Sequence, residues 1–156
     1  MSSPVQHQAP TILTALLTTR VVRVTHTMRD GVAMIEEILA LEHVDQETSL
    51  WVGDVEYHSS KDGPFPNHLM RVSVQPSTGC AALSYADHDD PTGSLVNSFN
   101  SGQDLPEAYL IFNGDTGDVF PHSAVIAIAD ARAALLEWLR TRSLPTSINW
   151  RPFGQK

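Results

Sequence analysis

The sequence predicts an α+β fold, with a mostly antiparallel β-sheet and two main helices packed on it. Two stretches, one early and one late in the chain, carry apolar residues at helical spacing. Between them, short alternating or β-branched stretches follow one another without the helical crossovers that a parallel sheet needs. The length of 156 residues suits one domain.

The N-terminal part of the chain predicts a tail, a strand and a helix. Residues 1–18 contain two prolines and scattered polar residues, so we expect a loosely held tail before a single domain over residues 19–156. The roughly alternating, β-branched residues 20–27 predict a strand. Asp30 is expected to cap a helix that extends to about Glu42 and carries an apolar stripe.

The middle of the chain predicts strands joined by turns, and its clearest unit is a hairpin. Residues 69–74 alternate between two faces, residues 76–79 are typical of a turn, and residues 80–85 return as the partner strand. A strand is expected before the hairpin, over residues 49–57, with a bulge or turn at Gly53-Asp54. The remaining segments are a loop over 59–67, a polar tip over 87–91 and a weak strand over 95–99.

The C-terminal third predicts a second helix over residues 129–142. Its apolar side carries Trp138, and its last turn carries Arg140 and Arg142, which suit the negative end of the helix dipole. Pro145 ends the helix. The other predicted elements are a strand over 108–112, a loop over 113–118, an extended piece over 125–127 and a last strand over 147–150.

The single cysteine and the tryptophans are expected to be packing residues. Cys80 lies beside small apolar residues in a predicted strand, so burial accounts for it better than a catalytic thiol does. Trp138 and Trp150 are expected in the core. Trp51 is expected there too, although a partly exposed tryptophan is able to anchor an interface.

Charge is the most informative part of the composition. The chain has 18 acidic and 10 basic residues, a net charge of −8. Between Asp30 and Ala131 there are 17 acidic residues against Lys61 and Arg71. Such a surface repels nucleic acid and anionic membranes and attracts a basic partner. A negative face that merely keeps the protein dissolved is the alternative interpretation.

Catalytic and metal-binding motifs are weak, so we expect no catalytic residue, no resident metal and no cofactor. Asp87, His88, Asp89 and Asp90 offer oxygen and nitrogen ligands close together, but the spacing of a calcium loop is missing. The segment 113–118, NGDTGD, also has oxygen-bearing side chains close together, again without the spacing of a calcium loop. A solvated turn is the better account of both.

Neither a membrane span nor a secretion signal is expected. The sequence contains no apolar run of the roughly 20 residues that a spanning helix needs. The N-terminus lacks a basic region before its modest apolar patch. These features predict a cytoplasmic protein.

The C-terminal third resembles the closing signature of the Imm1 family of bacterial immunity proteins. An aromatic-proline pair at Phe120-Pro121 leads into a short extended piece and a helix with Trp138 near its end. A turn with arginine, threonine and proline then precedes a strand that contains Trp150. The segments NHLMRVSVQPSTGCAALSYAD and YLIFNGDTGDVFP resemble the central hairpin and the strand before the helix. The resemblance covers roughly residues 50–153.

This resemblance implies that the protein protects its producer by binding the toxic domain of a cognate secreted toxin. Partners of the family are often enzymes that attack nucleic acid, notably cytidine-deaminase-like toxins and sometimes nucleases. Such enzymes need a basic cleft to hold phosphates, for which a carboxylate-rich protein is able to compete. We therefore expect a toxin partner with a basic surface, and neither nucleic acid nor membrane. The expected contact residues are Asp54, Glu56, Asp87, Asp89, Asp90, Asp115 and Asp118.

Two other functions stay open at this point. One is a small cytoplasmic enzyme or divalent-metal-binding module that uses the loop from Asp87 to Asp90 together with a histidine. The other is an adaptor that binds a basic protein other than a toxin.

Overall fold

A computed structural model describes residues 11–56, 68–87 and 95–152. These residues form an α+β fold with a mostly antiparallel sheet and two helices, which confirms the predicted class. The described elements are β1 Ile12–Leu16, β2 Val22–Thr25, α1 Met28–Leu39, β3 Thr48–Gly53, β4 His68–Gln75, β5 Cys80–Asp87, β6 Leu95–Phe99, β7 Ile111–Asn113, β8 Asp118–Val119, β9 Ile126–Ala127, α2 Ile128–Thr141 and β10 Asn149–Pro152. In this part of the chain, no helix has both the length and the apolar character needed to cross a bilayer.

One large sheet organises the molecule. Its strands lie in the order β10-β6-β5-β4-β3-β1-β2, and the short strand β9 pairs with β5 beside this path. The pairs are antiparallel, and the predicted hairpin forms the centre as β4 and β5. Its turn over residues 76–79 closes with Gly79 at a φ of 72°, a conformation that suits glycine.

The expectation of a loosely held tail over residues 1–18 is wrong for Ile12–Leu16. These residues form β1, an inner strand between β2 and β3, and Leu13 and Ala15 are completely buried. The interspersed threonines seemed to break an apolar run, yet a β-branched residue such as Thr14 fits a pleated strand well. Residues 1–10 lie outside the described residues.

The first helix begins and ends earlier than predicted. Its N-cap is Thr27, not Asp30, because the Thr27 hydroxyl accepts a hydrogen bond from the Asp30 backbone N–H at 3.1 Å. Asp30 instead lies in the first turn, where its charge suits the helix dipole. The helix ends at Leu39, not near Glu42.

Several other predicted boundaries shift. The strand predicted over 20–27 is limited to Val22–Thr25, because Arg20 adopts a left-handed φ of 71° in the preceding turn. The strand predicted over 49–57 ends at Gly53. Residue 57, the predicted loop 59–67 and residues 88–91 of the polar tip lie outside the described residues. The strand expected over 108–112 is β7, Ile111–Asn113.

The two faces of the sheet carry separate apolar clusters. Both helices pack on one face, where Trp138 is completely buried and Trp150 packs at the margin against Tyr85. On the other face, segment 105–125 covers Cys80, which is completely buried as predicted. Trp51 is half-buried on this second face.

The strand register defines two ends of the sheet. At the end that we call the Asp54 end, β3 finishes at Gly53 opposite Ile12, and β5 finishes at Asp87 opposite His68. The opposite end contains the β1–β2 and β4–β5 turns and residues 43–47. We call it the Asp115 end, since Asp115 pairs with Arg20 of the β1–β2 turn at 3.6 Å.

Candidate partner-binding surface

At the Asp54 end, two of the predicted contact carboxylates already have side-chain partners within the protein. Asp54 Oδ1 accepts a hydrogen bond from Arg142 Nη1 at 2.6 Å, and Arg142 Nη2 also donates to the Gly53 carbonyl at 3.3 Å. Glu56 Oε1 lies 2.8 Å from His26 Nε2. These contacts hold strand ends to helix ends and reduce the charge available to a partner.

Three more predicted contact residues lie close together in the sequence, and the structure describes one of them. Asp87 is the last residue of β5 and is half-buried. Asp89 and Asp90 follow it but lie outside the described residues. The structure therefore places Asp54, Glu56 and Asp87 at one end of the sheet and leaves the two aspartates after Asp87 undescribed.

At the Asp115 end, residues 113–118 form a turn whose polar groups satisfy one another. Asn113 Oδ1 accepts from the Asp115 N–H at 2.9 Å, and the Gly117 N–H donates to the Asn113 carbonyl at 2.9 Å. Thr116 Oγ1 donates to Asp118 Oδ2 at 2.7 Å. These oxygens serve the turn itself, which favours a structural role for the segment over the cation loop considered from the sequence.

This turn packs tightly on the segment before β3. The Gly114 N–H donates to Glu47 Oε1 at 3.2 Å. A Cβ at Gly114 would collide with the carbonyl oxygen of Asp45 and with the Gln46 side chain. Glycine is therefore required here by close approach, and the two segments form one fixed surface.

Between these two segments lies a hollow of about 410 Å³, which we call the acidic cleft. Two large apolar side chains line it and are well exposed, Tyr109 at 63% and Val44 at 65%. Monomeric proteins commonly show single exposed apolar residues, but a tyrosine beside a concave surface is typical of an interface anchor. The remaining lining residues are His43, Asp45, Gln46, Gln75, Ile111, Gly114 and Gly117.

Two acidic residues share a hollow with Tyr109, and two more lie in the neighbouring turn. Asp45 lines the cleft, and Glu107 lines a second hollow of about 480 Å³ on the other side of the tyrosine. Asp115 and Asp118 extend from the turn, and all four residues are exposed. Arg20 offsets part of this charge through its contact with Asp115.

The buried histidine beside the cleft is neutral. His43 Nδ1 lies 2.8 Å from the Leu41 carbonyl, which only accepts, so this nitrogen carries the proton. His43 Nε2 then accepts from Thr48 Oγ1 at 2.7 Å. Burial lowers the pKa of His43 below 6.5, and the Leu41 hydrogen bond and nearby glutamates oppose this only in part. Both ring nitrogens are occupied, so His43 is not free to bind a metal or act as a base.

No trio of histidine, cysteine, aspartate or glutamate side chains is close enough to hold a metal ion within residues 11–56, 68–87 and 95–152. The loop from Asp87 to Asp90, on which the metal-binding alternative depends, is described only at Asp87.

The family model of immunity protein Imm1 matches residues 23–152. This chain belongs to the Imm1 family. The match confirms the resemblance seen in the C-terminal two thirds and extends it to β2 and α1. A comparison with curated proteins finds no match.

Membership assigns this Imm1 protein the role of an immunity protein with a cognate toxin as its partner. The matched residues include both helices and the acidic cleft, whereas β1 precedes them. The sheet of this Imm1 protein therefore contains an inner strand that lies outside the matched range.

The sequence indicated the carboxylates but not how they are grouped or what lies among them. Asp115 and Asp118 lie together at one end, away from Asp54, Glu56 and Asp87 at the other. Tyr109 was missed because the segment YLIF was interpreted as one apolar strand. The sequence holds no local signal for its exposure, since the three apolar residues that follow Tyr109 are all buried, without alternation.

Proposed function

We propose that this Imm1 protein neutralises its cognate toxin by stoichiometric binding in the cytoplasm, without catalysis. The toxin is a deaminase or nuclease that acts on nucleic acid and presents a basic surface. The observation that carries this proposal is the acidic cleft, where exposed Tyr109 and exposed Asp45 line one hollow beside the turn that carries exposed Asp115 and Asp118.

Electrostatics supports a basic partner of this kind. An enzyme that acts on a polynucleotide needs cationic side chains to hold phosphates. Exposed carboxylates attract such a surface over about 10 Å at ordinary salt, and so accelerate encounter. Aspartate and glutamate also form charge-assisted hydrogen bonds with arginine and lysine. An acidic inhibitor is therefore able to occupy the surface that the nucleic acid would use.

The Asp115 end is the better candidate for the main contact. Asp54 and Glu56 already have positively charged or ionisable partners in Arg142 and His26. The carboxylates beside the cleft are less compensated, since the ion pair of Arg20 with Asp115 is 3.6 Å long, against 2.6 Å for Arg142 with Asp54. Arg20 Nη1 also donates to the Gln46 side-chain oxygen at 2.9 Å. Asp87, at the Asp54 end, and Asp89 and Asp90, which follow it in the sequence, remain in the proposal as a second contact.

Co-expression tests this function directly. The C-terminal domain of a secreted toxin encoded next to this gene is induced in cells with and without the full-length immunity protein. We expect survival only with the immunity protein, and co-purification of the two in a 1:1 ratio that is lost at high salt. Cells that die despite equal expression, or a protein that protects only by turning over a small molecule, would contradict the proposal.

A charge variant links protection to the proposed surface. Asp115→Asn combined with Asp118→Asn removes two carboxylates of the turn that borders the acidic cleft. Asp30→Asn is the control, because Asp30 is equally exposed but lies in the first turn of α1, at the other end of the sheet. We expect weaker co-purification for the double variant and wild-type behaviour for the control.

A further inference from the structure

Tyr109 forms a ridge between two hollows at the Asp115 end. The acidic cleft of about 410 Å³ lies on one side, and the hollow of about 480 Å³ that Glu107 and His122 help to line lies on the other. The side chain is 63% exposed, whereas the next residue, Leu110, is buried beneath it in the second apolar cluster. The backbone of Tyr109 is thus held in place while its ring stands open to solvent.

A second side chain that lines the cleft is also apolar and equally open. Val44 lines it and is 65% exposed. Its neighbour His43 is fixed by two ring hydrogen bonds, and the His43 N–H donates to the Val74 carbonyl of β4 at 2.9 Å. Both apolar surfaces are therefore attached to the sheet, and little ordering is needed when a partner binds.

The cleft has acidic and small residues where a cation would enter. Asp45 lines the hollow itself, and Asp115 lies in the turn that forms its edge. Gly114 and Gly117 form part of the wall without side chains. A hollow of this size is in the range that receives a small ligand or a long side chain. The combination of an aromatic face, an aliphatic side chain and carboxylates matches the guanidinium and methylene groups of arginine.

We infer that the acidic cleft receives an arginine side chain of the toxin domain, with the ring of Tyr109 as its main contact. This inference rests on the proposed function and adds the partner chemistry and the anchor residue. The carboxylates attract the guanidinium, and the tyrosine face and Val44 cover its methylene stem. Contacts elsewhere on the immunity protein then contribute shape complementarity but little of the binding free energy.

Equilibrium binding of three variants to the purified toxin domain tests the anchor. Tyr109→Ala should raise the Kd about thirtyfold or more, as expected for an interface hot spot. Tyr109→Phe keeps the ring and should stay within about threefold of the wild type. Leu144→Ala is the matched control, because Leu144 is also an exposed apolar residue, at 41%, but follows α2 at the Asp54 end.

A double-mutant cycle identifies the partner residue. Each arginine and each lysine of the toxin domain is changed to alanine and combined with Tyr109→Ala, and one arginine should lose most of its effect on the Kd in that background. Similar Kd values for Tyr109→Ala and Leu144→Ala, or no arginine coupled to Tyr109, would overturn the inference. If a lysine couples instead, the arginine assignment is wrong.

A cross-link keeps the test valid if Tyr109→Ala folds poorly. With Tyr109 replaced by benzoylphenylalanine, illumination should attach the full-length protein to a toxin peptide that contains the coupled arginine. The same replacement at Leu144 should give little product. A wild-type protein that neither binds nor protects contradicts the proposed function, whereas one that protects without a cross-link or Kd change at Tyr109 contradicts only the cleft assignment.

Discussion

The imidazole Nε2 of His43 lies 2.7 Å from the hydroxyl of Thr48 and accepts its hydrogen bond. Thr48 Oγ1 in turn accepts from the Thr18 backbone N–H at 3.1 Å. One neutral histidine thus links the segment after α1, the start of β3 and the β1–β2 turn. Because Nε2 accepts the hydrogen bond, protonating it would leave two donors, the imidazolium N–H and the Thr48 hydroxyl, facing each other.

This arrangement predicts a pH dependence of folding stability. The pKa of His43 is lowered in the folded protein by burial, so the unfolded chain binds its proton more readily. The stabilising contribution is complete above the unfolded value of 6.5 and decreases as the pH falls through 6.5 toward the folded pKa. The slope is at most about 1.4 kcal/mol per pH unit for one proton. Urea unfolding of the wild type and of His43→Gln between pH 7.5 and 5.5 measures it, and a difference between them that stays constant over this range would contradict the prediction.

The end of α2 predicts a rare case in which glycine is better than alanine. Arg142 has a left-handed φ of 55° where the helix ends, and its N–H donates to the Trp138 carbonyl at 2.7 Å. Arg142→Ala and Arg142→Gly both remove the ion pair with Asp54, so their difference isolates the backbone. We expect the glycine variant to be about 1 kcal/mol more stable, because a Cβ is strained in this conformation. Urea unfolding measures the order of the two, and equal stability would show that the backbone adapts.

Alanine substitutions at two glycines of one turn distinguish the cost of a steric collision from the cost of backbone strain. Gly117 has a φ of 78° with open space around its Cβ position, so Gly117→Ala should cost only about 1–2 kcal/mol for the strained conformation. Gly114→Ala meets the Asp45 carbonyl, so the turn must move. We expect the larger loss of stability, about 1–3 kcal/mol, and the larger loss of toxin binding from Gly114→Ala. Thermal unfolding and the Kd of both variants check this order.

A carboxylate on α2 predicts a second pH effect, at lower pH than that of His43. Glu137 Oε2 accepts from the Thr146 N–H at 2.7 Å and Oε1 accepts from the Ser147 N–H at 3.1 Å. The Thr146 backbone hydrogen bond is the main cause that lowers the pKa of Glu137 below 4.5. Its stabilising contribution is therefore present above 4.5 and lost as the pH falls through the folded pKa. Glu137→Gln should be less stable than the wild type at pH 7 and equal to it near pH 3, as unfolding midpoints would show.

Local patterns explain which parts of this fold could be predicted. The alternation of residues 69–74 and the turn at 76–79 specify a hairpin through neighbours in sequence, and the structure has it. The threonines of β1 were ambiguous because their partners, such as Trp51 opposite Thr14, are far away in sequence. The sequence offers both Thr27 and Asp30 as residue types that cap helices. The contact that decides between them, from the Asp30 N–H to the Thr27 hydroxyl, is visible only in the structure.

The candidate site could be predicted in composition but not in arrangement. The excess of carboxylates is visible in the sequence, whereas the partner that offsets Asp54 lies 88 residues away at Arg142. The partner of Asp115 is Arg20, which precedes α1 in the sequence, whereas Asp115 follows it. No local pattern contains such pairings, since they arise from the strand order. The same holds for the cleft, which exists only because residues 43–46 and 109–117 meet.

The final prediction concerns the kinetics of toxin binding and compares two acidic segments. Asp115→Asn with Asp118→Asn removes two charges and leaves the charge of Arg20 without its carboxylate partner Asp115, so the local potential becomes more positive. Asp89→Asn with Asp90→Asn removes the same formal charge two and three residues after Asp87. If the cleft docks, the first pair should slow association about three- to tenfold at low salt with little change in dissociation, since peripheral charges act mainly on encounter. The difference should vanish near 0.5 M salt, where screening acts within a few ångströms. Stopped-flow mixing with the toxin domain measures both rates, and a larger effect from the Asp89 and Asp90 pair would assign the main contact to the segment after Asp87 instead.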